Sequence, residues 1–174
     1  MIFKKEEIKP IKLLGKGKGG YSYLVNWNSK MCVLKCFHNE EVPYYSFSRS
    51  KLDLELRDYK TLKKIGIPIP ELYDFDEKRE VLIKEYIDGP TCFDIVKEDL
   101  MRDDIVSFVR AMCKKLYPNN LNIDYYPTNF IYSKDKLFYI DYECNLFDNK
   151  WSFENWGIKY WSLTPEFMEV LKNE

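Results

Sequence analysis

Six residues, Gly15-Lys16-Gly17-Lys18-Gly19-Gly20, lie between two stretches that read as strands, and this placement restricts the fold more than any other feature of the chain. Upstream is Ile11-Lys12-Leu13-Leu14. Downstream is Tyr21-Ser22-Tyr23-Leu24-Val25, with Tyr21, Tyr23 and Val25 on one face at period two. Gly15, Gly17 and Gly20 follow the spacing G-x-G-x-x-G. A dinucleotide-binding turn of that spacing opens a helix, whereas strand residues follow here. A Walker A loop has Lys-Ser or Lys-Thr after its last glycine, and this chain has Tyr21-Ser22. Two readings remain: a hairpin tip that covers nucleotide phosphates, or an ordinary glycine-rich hairpin loop.

A third strand, Met31 to Phe37, carries Lys35 among apolar residues. Spacing then predicts a helix between Ser50 and Ile65, with Leu52, Leu56, Tyr59, Leu62 and Ile65 as its apolar stripe. At about 100° per residue, Glu55 falls inside that stripe. A carboxylate buried there without a partner costs several kcal/mol, and Lys35 is the nearest candidate partner. The alternative leaves Glu55 in solvent at the stripe's edge, with Asp58 equally available to Lys35.

Gly66 and the prolines at 68 and 70 end the helix. Leu72 to Phe75 and Val81 to Ile87 read as a strand pair turning at Asp76 to Arg79. Asp88-Gly89-Pro90 is the candidate hinge, giving lobes of residues 1–88 and 89–174. A helical region follows, clearest from Asp99 to Leu116, with Ile105, Phe108 or Val109, Met112 and Leu116 as its stripe. Next, Asp124 and Asn129 lead into the apolar run Phe130 to Tyr132. A Ser-Lys-Asp-Lys turn and a second apolar run, Leu137 to Ile140, then deliver Asp141. A short hairpin of this kind would bring acidic and amide oxygens to one edge, where they can hold a divalent cation and a hydroxyl. Turn formation alone is the competing explanation for Asp and Asn at these positions. In the aromatic tail, Thr164-Pro165 is a helix start, and the aromatics are expected to close a small core.

Composition removes several classes. With 27 basic and 28 acidic residues, no global field favours nucleic acid or an anionic membrane. No apolar run approaches a membrane span and no signal-peptide core is present, so a cytoplasmic protein is expected. The five cysteines form no Cys-x-x-Cys pair, and the single His38 cannot complete a zinc site with them.

In order along the chain, these features resemble protein kinases. Leu14-Gly15-x-Gly17-x-x-Gly20 with Leu24-Val25 resembles the glycine-rich loop, and Val33-Leu34-Lys35 the lysine strand. Glu55-x-x-x-Tyr59-x-x-Leu62 is similar to the helix that supplies the lysine's partner, and Leu82 to Gly89 to the adenine strand and hinge. Asp124-x-x-x-x-Asn129 matches the catalytic loop, and Asp141 the metal-binding aspartate. The departures are Asn122-Ile123 in place of His-Arg, Asp141-Tyr142-Glu143 in place of Asp-Phe-Gly, and a short C-terminal region. They make the chain similar to minimal bacterial serine/threonine kinase-like proteins and RIO-type kinases, with features of the aminoglycoside and choline phosphotransferases.

The resemblance implies a two-lobed α+β fold: a small N-terminal sheet with one helix, and a shortened, mainly helical C-terminal lobe. It implies transfer of the ATP γ-phosphoryl group to a hydroxyl with Mg2+. Gly15, Gly17 and Gly20 would cover the phosphates, and Lys35, held by Glu55, would bind them. Val25, Val33 and the backbone of Glu85 to Ile87 would surround the adenine. Asn129 and Asp141 would hold the metal, and Asp124 would orient or deprotonate the acceptor. The acceptor is expected to be a protein or small molecule, with no nucleic acid partner and no membrane insertion. The rival reading is a nucleotide-binding pseudokinase that regulates a partner.

Overall fold

Short strands joined by tight turns pair antiparallel along the first half of the chain, as alternating apolar positions with one face to cover require. The computed structural model describes residues 1–17, 19–37 and 50–173, so His38 lies outside the described residues. The chain forms two units, one of Met1–Tyr59 with Pro70–Tyr86, the other of Lys60–Ile69 with Ile87–Glu174.

In the first unit, β1 (Ile2–Phe3) and β2 (Glu6–Glu7) form a small hairpin, too short to leave a period in the sequence. Then come β3 (Pro10–Lys16), β4 (Gly20–Trp27), β5 (Lys30–Phe37), helix α1 (Lys51–Lys64), β6 (Leu72–Asp76) and β7 (Val81–Glu85). The sheet is antiparallel throughout in the order β3-β4-β5-β7-β6. One face packs Val25, Cys32, Leu34, Val81 and Ile83 against Phe3 and Ile8. On the other face, Ser22, Lys35 and Leu82 stand in register, and beside them Leu24, Val33 and Lys84.

The second unit holds the last turn of α1 and helices α2 (Cys92–Lys97) and α3 (Asp103–Leu116). Strands β8 (Leu121–Asn122), β9 (Phe130–Ser133), β10 (Lys136–Tyr139) and β11 (Asn145–Leu146) follow, then helix α4 (Pro165–Lys172). Leu62 and Ile67 share a buried cluster with Val109, Met112, Leu116, Phe130, Tyr139 and Trp161, so residues 60–69 fold with this unit although they precede the boundary expected at 88. The helix predicted from Asp99 starts at Asp103 instead. Asp99 adopts φ +55°, and this left-handed residue stops α2 from running into α3. At its own start, α2 has a capping box: Thr91 Oγ1 accepts from the Asp94 N–H, and the Asp94 carboxylate accepts from the Thr91 N–H. Thr164 caps α4 by accepting from the Phe167 N–H.

The architecture is α+β, compatible with a small kinase-like fold. Among the described residues no helix is long and apolar enough to cross a membrane.

Candidate functional site

The first unit supplies a lysine–glutamate pair. Lys35 sits in mid-β5, and α1 presents Glu55 to it, with Nζ 2.8 Å from Oε1 and 2.7 Å from Oε2. Both side chains are largely buried, at 13% and 10% exposure, so the two charges that looked misplaced in apolar patterns compensate one another. Asp58, the alternative partner weighed from the sequence, accepts from Arg57 at 2.8 Å.

The strand tip next to this face is open at three of its glycines. A Cβ added to Gly15 or Gly19 would have nothing within 4 Å, and one on Gly17 would meet only the Gly20 carbonyl at 3.9 Å. The turn closes through the Gly17 N–H donating to that carbonyl at 2.9 Å. Gly20 is glycine for another reason. A Cβ there would lie 2.3 Å from the Cys36 carbonyl oxygen, so strand pairing itself excludes a side chain. An open, glycine-rich tip fits a phosphate group approaching backbone N–H donors.

The sheet register corrects one assignment. Val25 is opposite Cys32, wholly buried in the cluster with Phe3 and Ile8, and therefore faces away from Lys35. Its neighbour Leu24, opposite Val33, occupies the Lys35 face, because alternation along a strand gives one face to every second residue. The same register adds Lys84, 5% exposed and aligned with Val33. Its signal in the sequence was a second charge inside an apolar strand. Glu85 ends β7, with its N–H donating to the Glu71 carbonyl at 2.8 Å. Ile87 begins the long segment of the second unit and is buried.

The second unit supplies the acidic loop. β9 and β10 form the expected hairpin, its turn residues Lys134 and Asp135 both at positive φ, as two-residue hairpin turns require. Phe130 stands opposite Tyr139, and the Ile140 N–H donates to the Asn129 carbonyl at 2.9 Å. The pairing thus carries Asn129 and Asp141 to the same end of the hairpin. Asn129 Nδ2 donates to the Asp124 carbonyl at 3.4 Å, which brings Asp124 to that end too. The exposed Asp124 carboxylate accepts from the Tyr126 N–H at 3.0 Å, and the Asp141 carboxylate from the Tyr142 N–H at 2.9 Å.

Two aromatic groups that carried no signal in the sequence hold this loop from below. The indole N–H of buried Trp161 donates to the Tyr125 carbonyl at 2.8 Å. The Tyr139 hydroxyl donates to the Glu143 carbonyl at 3.0 Å. Tail and loop touch closely at Gly157, where a Cβ would lie 2.6 Å from the Tyr125 Cβ. Burial pushes the Tyr125 and Tyr139 hydroxyls above the ordinary tyrosine range, so both remain donors.

An amide oxygen from Asn129 and a carboxylate from Asp141 are hard oxygen ligands of the kind magnesium selects. Among the described residues no group of three or more His, Cys, Asp or Glu side chains could hold a metal ion. Magnesium needs no such cage, since it keeps several waters and binds through one or two carboxylates together with phosphates.

No family model matches the chain. Over 95 residues it is 30% identical to the probable bifunctional tRNA threonylcarbamoyladenosine biosynthesis protein of Methanocaldococcus jannaschii, covering 54% of this chain and 17% of that protein. Over 110 residues it is 28% identical to the probable serine/threonine-protein kinase BUD32 homolog of Archaeoglobus fulgidus, covering 58% of this chain and 53% of the other. The matched segment is thus about half the length of one relative and a sixth of the other. These similarities support a kinase-like superfamily.

Proposed function

We propose that the chain is an ATP-dependent phosphotransferase that passes the γ-phosphoryl group to a serine or threonine hydroxyl. The observation that carries this reading is the buried Lys35–Glu55 pair on the face of a sheet whose tip is the glycine turn. A buried ion pair is weak evidence for stability, and replacing one by apolar residues is often neutral or better. Its presence is better explained by a need for an oriented ammonium group. The similarity to a protein named as a probable serine/threonine kinase supports the choice of acceptor.

Phosphoryl transfer asks the protein mainly for positioning and charge neutralisation. Lys35, oriented by Glu55, would pair with the α/β-phosphates, and backbone N–H groups of the tip at Gly15 to Gly20 would cover them. Leu24 and Val33, on the Lys35 face, would line the base together with the backbone of Glu85 to Ile87. Asn129 and Asp141 would hold Mg2+, which when bound neutralises phosphate charge. The exposed Asp124 carboxylate would accept a hydrogen bond from the acceptor hydroxyl and take its proton as the oxygen attacks.

The experiment is thermal unfolding with ATP in the presence of magnesium or EDTA. A larger stabilisation with magnesium is expected, and Asp141→Ala should erase the difference. Absence of any ATP-dependent shift would defeat the reading.

A further inference from the structure

The aromatic residues of the tail divide into two sets. Phe153, Trp161 and Phe167 are buried in the second unit, as residues that close a core should be. Trp151, Trp156 and Tyr160 keep part of their surface in solvent, and Trp151 is 47% exposed. Single exposed aromatics need no explanation, but these three join Tyr126 in one continuous row. Ring centroids lie 5.7 Å apart from Trp151 to Trp156, 5.4 Å from Trp156 to Tyr160 and 5.2 Å from Tyr160 to Tyr126. The row therefore begins at the residue whose N–H binds the exposed Asp124 carboxylate, and ends at Trp151. Tyr126 also packs on Phe93, ring centroids 6.2 Å apart, and Phe93 on Phe167 at 4.9 Å. Core contacts thus hold this end of the row in place without a ligand, which lowers the ordering cost of binding.

Two properties indicate what the row would take. A ring face attracts a cation, and Trp151 already carries one, with Lys150 Nζ 4.9 Å from the ring centre. Exposed carboxylates accompany the rings: Asp124 two residues before Tyr126, Glu154 two before Trp156 and Asp148 three before Trp151. Lys150 and Lys159 offset part of their charge. The side chain that both stacks on rings and pairs bidentately with carboxylates is arginine.

We propose that this row is a docking surface for the acceptor, and that its occupant is a protein segment carrying arginine beside the serine or threonine presented to Asp124. The identity of the segment as acceptor rests on the phosphotransferase reading above, whereas its docking does not.

The probe is the peptide Gly-Arg-Ala-Ser-Ala-Arg-Gly, titrated into the full chain without nucleotide and followed by NMR at the indole N–H groups of Trp151 and Trp156. Both signals should shift, with those of Trp27 and Trp161 unmoved. Citrulline in place of both arginines keeps the shape and removes the charge, and should weaken binding by about tenfold. Trp151→Ala should weaken it by about fivefold and Trp151→Phe by about twofold, since a smaller ring face remains. Leu100→Ala, at an exposed apolar residue outside the row, should leave it unchanged. In phosphate transfer to the same peptide, Trp151→Ala should raise KM for the peptide by about fivefold and leave KM for ATP as it was.

Unmoved Trp151 and Trp156 signals would overturn the proposal, as would equal binding of the citrulline peptide or of Trp151→Ala. So would shifts produced by oligouridylate and not by the arginine peptide, which would make the row a stacking surface for single-stranded nucleic acid. Charge-dependent docking with no phosphate transferred would uphold the surface and count against the phosphotransferase reading. Transfer that is equally efficient with the citrulline peptide would uphold that reading and overturn the docking proposal.

Discussion

The two units hold their candidate functional side chains by different means. Lys35 and Glu55 stand on regular elements, a central strand and a helix, and are fixed by one short side-chain ion pair. Asp124 stands in an irregular loop, fixed through its backbone. Trp161 supports the next carbonyl, and Asn129 the carbonyl of Asp124 itself. The first arrangement places a charge that must meet another charge. The second leaves a carboxylate exposed while hydrogen bonds hold the chain under it. Orientation of an ammonium group needs a counter-ion, whereas a candidate base needs a scaffold that leaves it exposed.

Four single substitutions and one double variant break or sharpen this contrast. The largest effect is expected from Asp124→Asn, which keeps the turn but removes the charge. Turnover should fall by about 10²–10⁴, the range for loss of a positioned acid or base, with ATP affinity nearly unchanged. Phosphate transfer within a few-fold of wild type would make Asp124 a turn former and nothing more.

Next is Glu55→Ala, which strands the Lys35 ammonium among apolar groups. Loss of one member of a buried pair costs about 3–5 kcal/mol, read by urea unfolding. The double variant Lys35→Met with Glu55→Leu should recover most of that stability while abolishing ATP turnover. If the double variant is as unstable as the single one, the pair is structural and its functional assignment fails.

A smaller loss is expected in the second unit from Trp161→Phe. This leaves the Tyr125 carbonyl without its buried donor, at a cost of about 1–3 kcal/mol, and it should lower turnover more than ATP binding. Equal changes in both would show that the loop does not depend on this support.

The smallest effect concerns acid. The Asp76 carboxylate accepts from the N–H groups of Lys4, Lys78 and Arg79 and from the Arg79 guanidinium. Burial works to raise its pKa, but these bonds outweigh it and hold the group below the ordinary aspartate value. A carboxyl lowered in the folded state stabilises fully above its unfolded pKa and loses that contribution as the pH falls through the folded value. Stability should therefore begin to fall below about pH 4, where aspartate ordinarily titrates. Asp76→Asn should flatten that acid limb and leave the second unit's exchange pattern unchanged. An unaltered acid limb would show that other carboxylates control it.

Much of the fold was legible in the chain because it rests on local rules. Period two marked β4, and a stripe at helical spacing marked α1 and placed Glu55 within it. Turn residues marked the β9–β10 hairpin, so the sequence by itself brought Asn129 and Asp141 to one end of it. Pairing of Lys35 with Glu55 was also legible, because a charge in an apolar pattern demands a partner and only a few are near.

Tertiary structure decided what depends on register and on distant segments. Whether Val25 or Leu24 shares the Lys35 face turns on a one-residue shift, which reverses every side chain in a strand and is set by pairing with β5. The support given by Trp161 to a carbonyl 36 residues earlier has no local signature, since an indole N–H can meet any buried acceptor that packing brings to it. The Tyr139 hydroxyl is the same case. Its ring obeys the strand pattern, but its oxygen meets the Glu143 carbonyl only because the segment after β10 folds back over it.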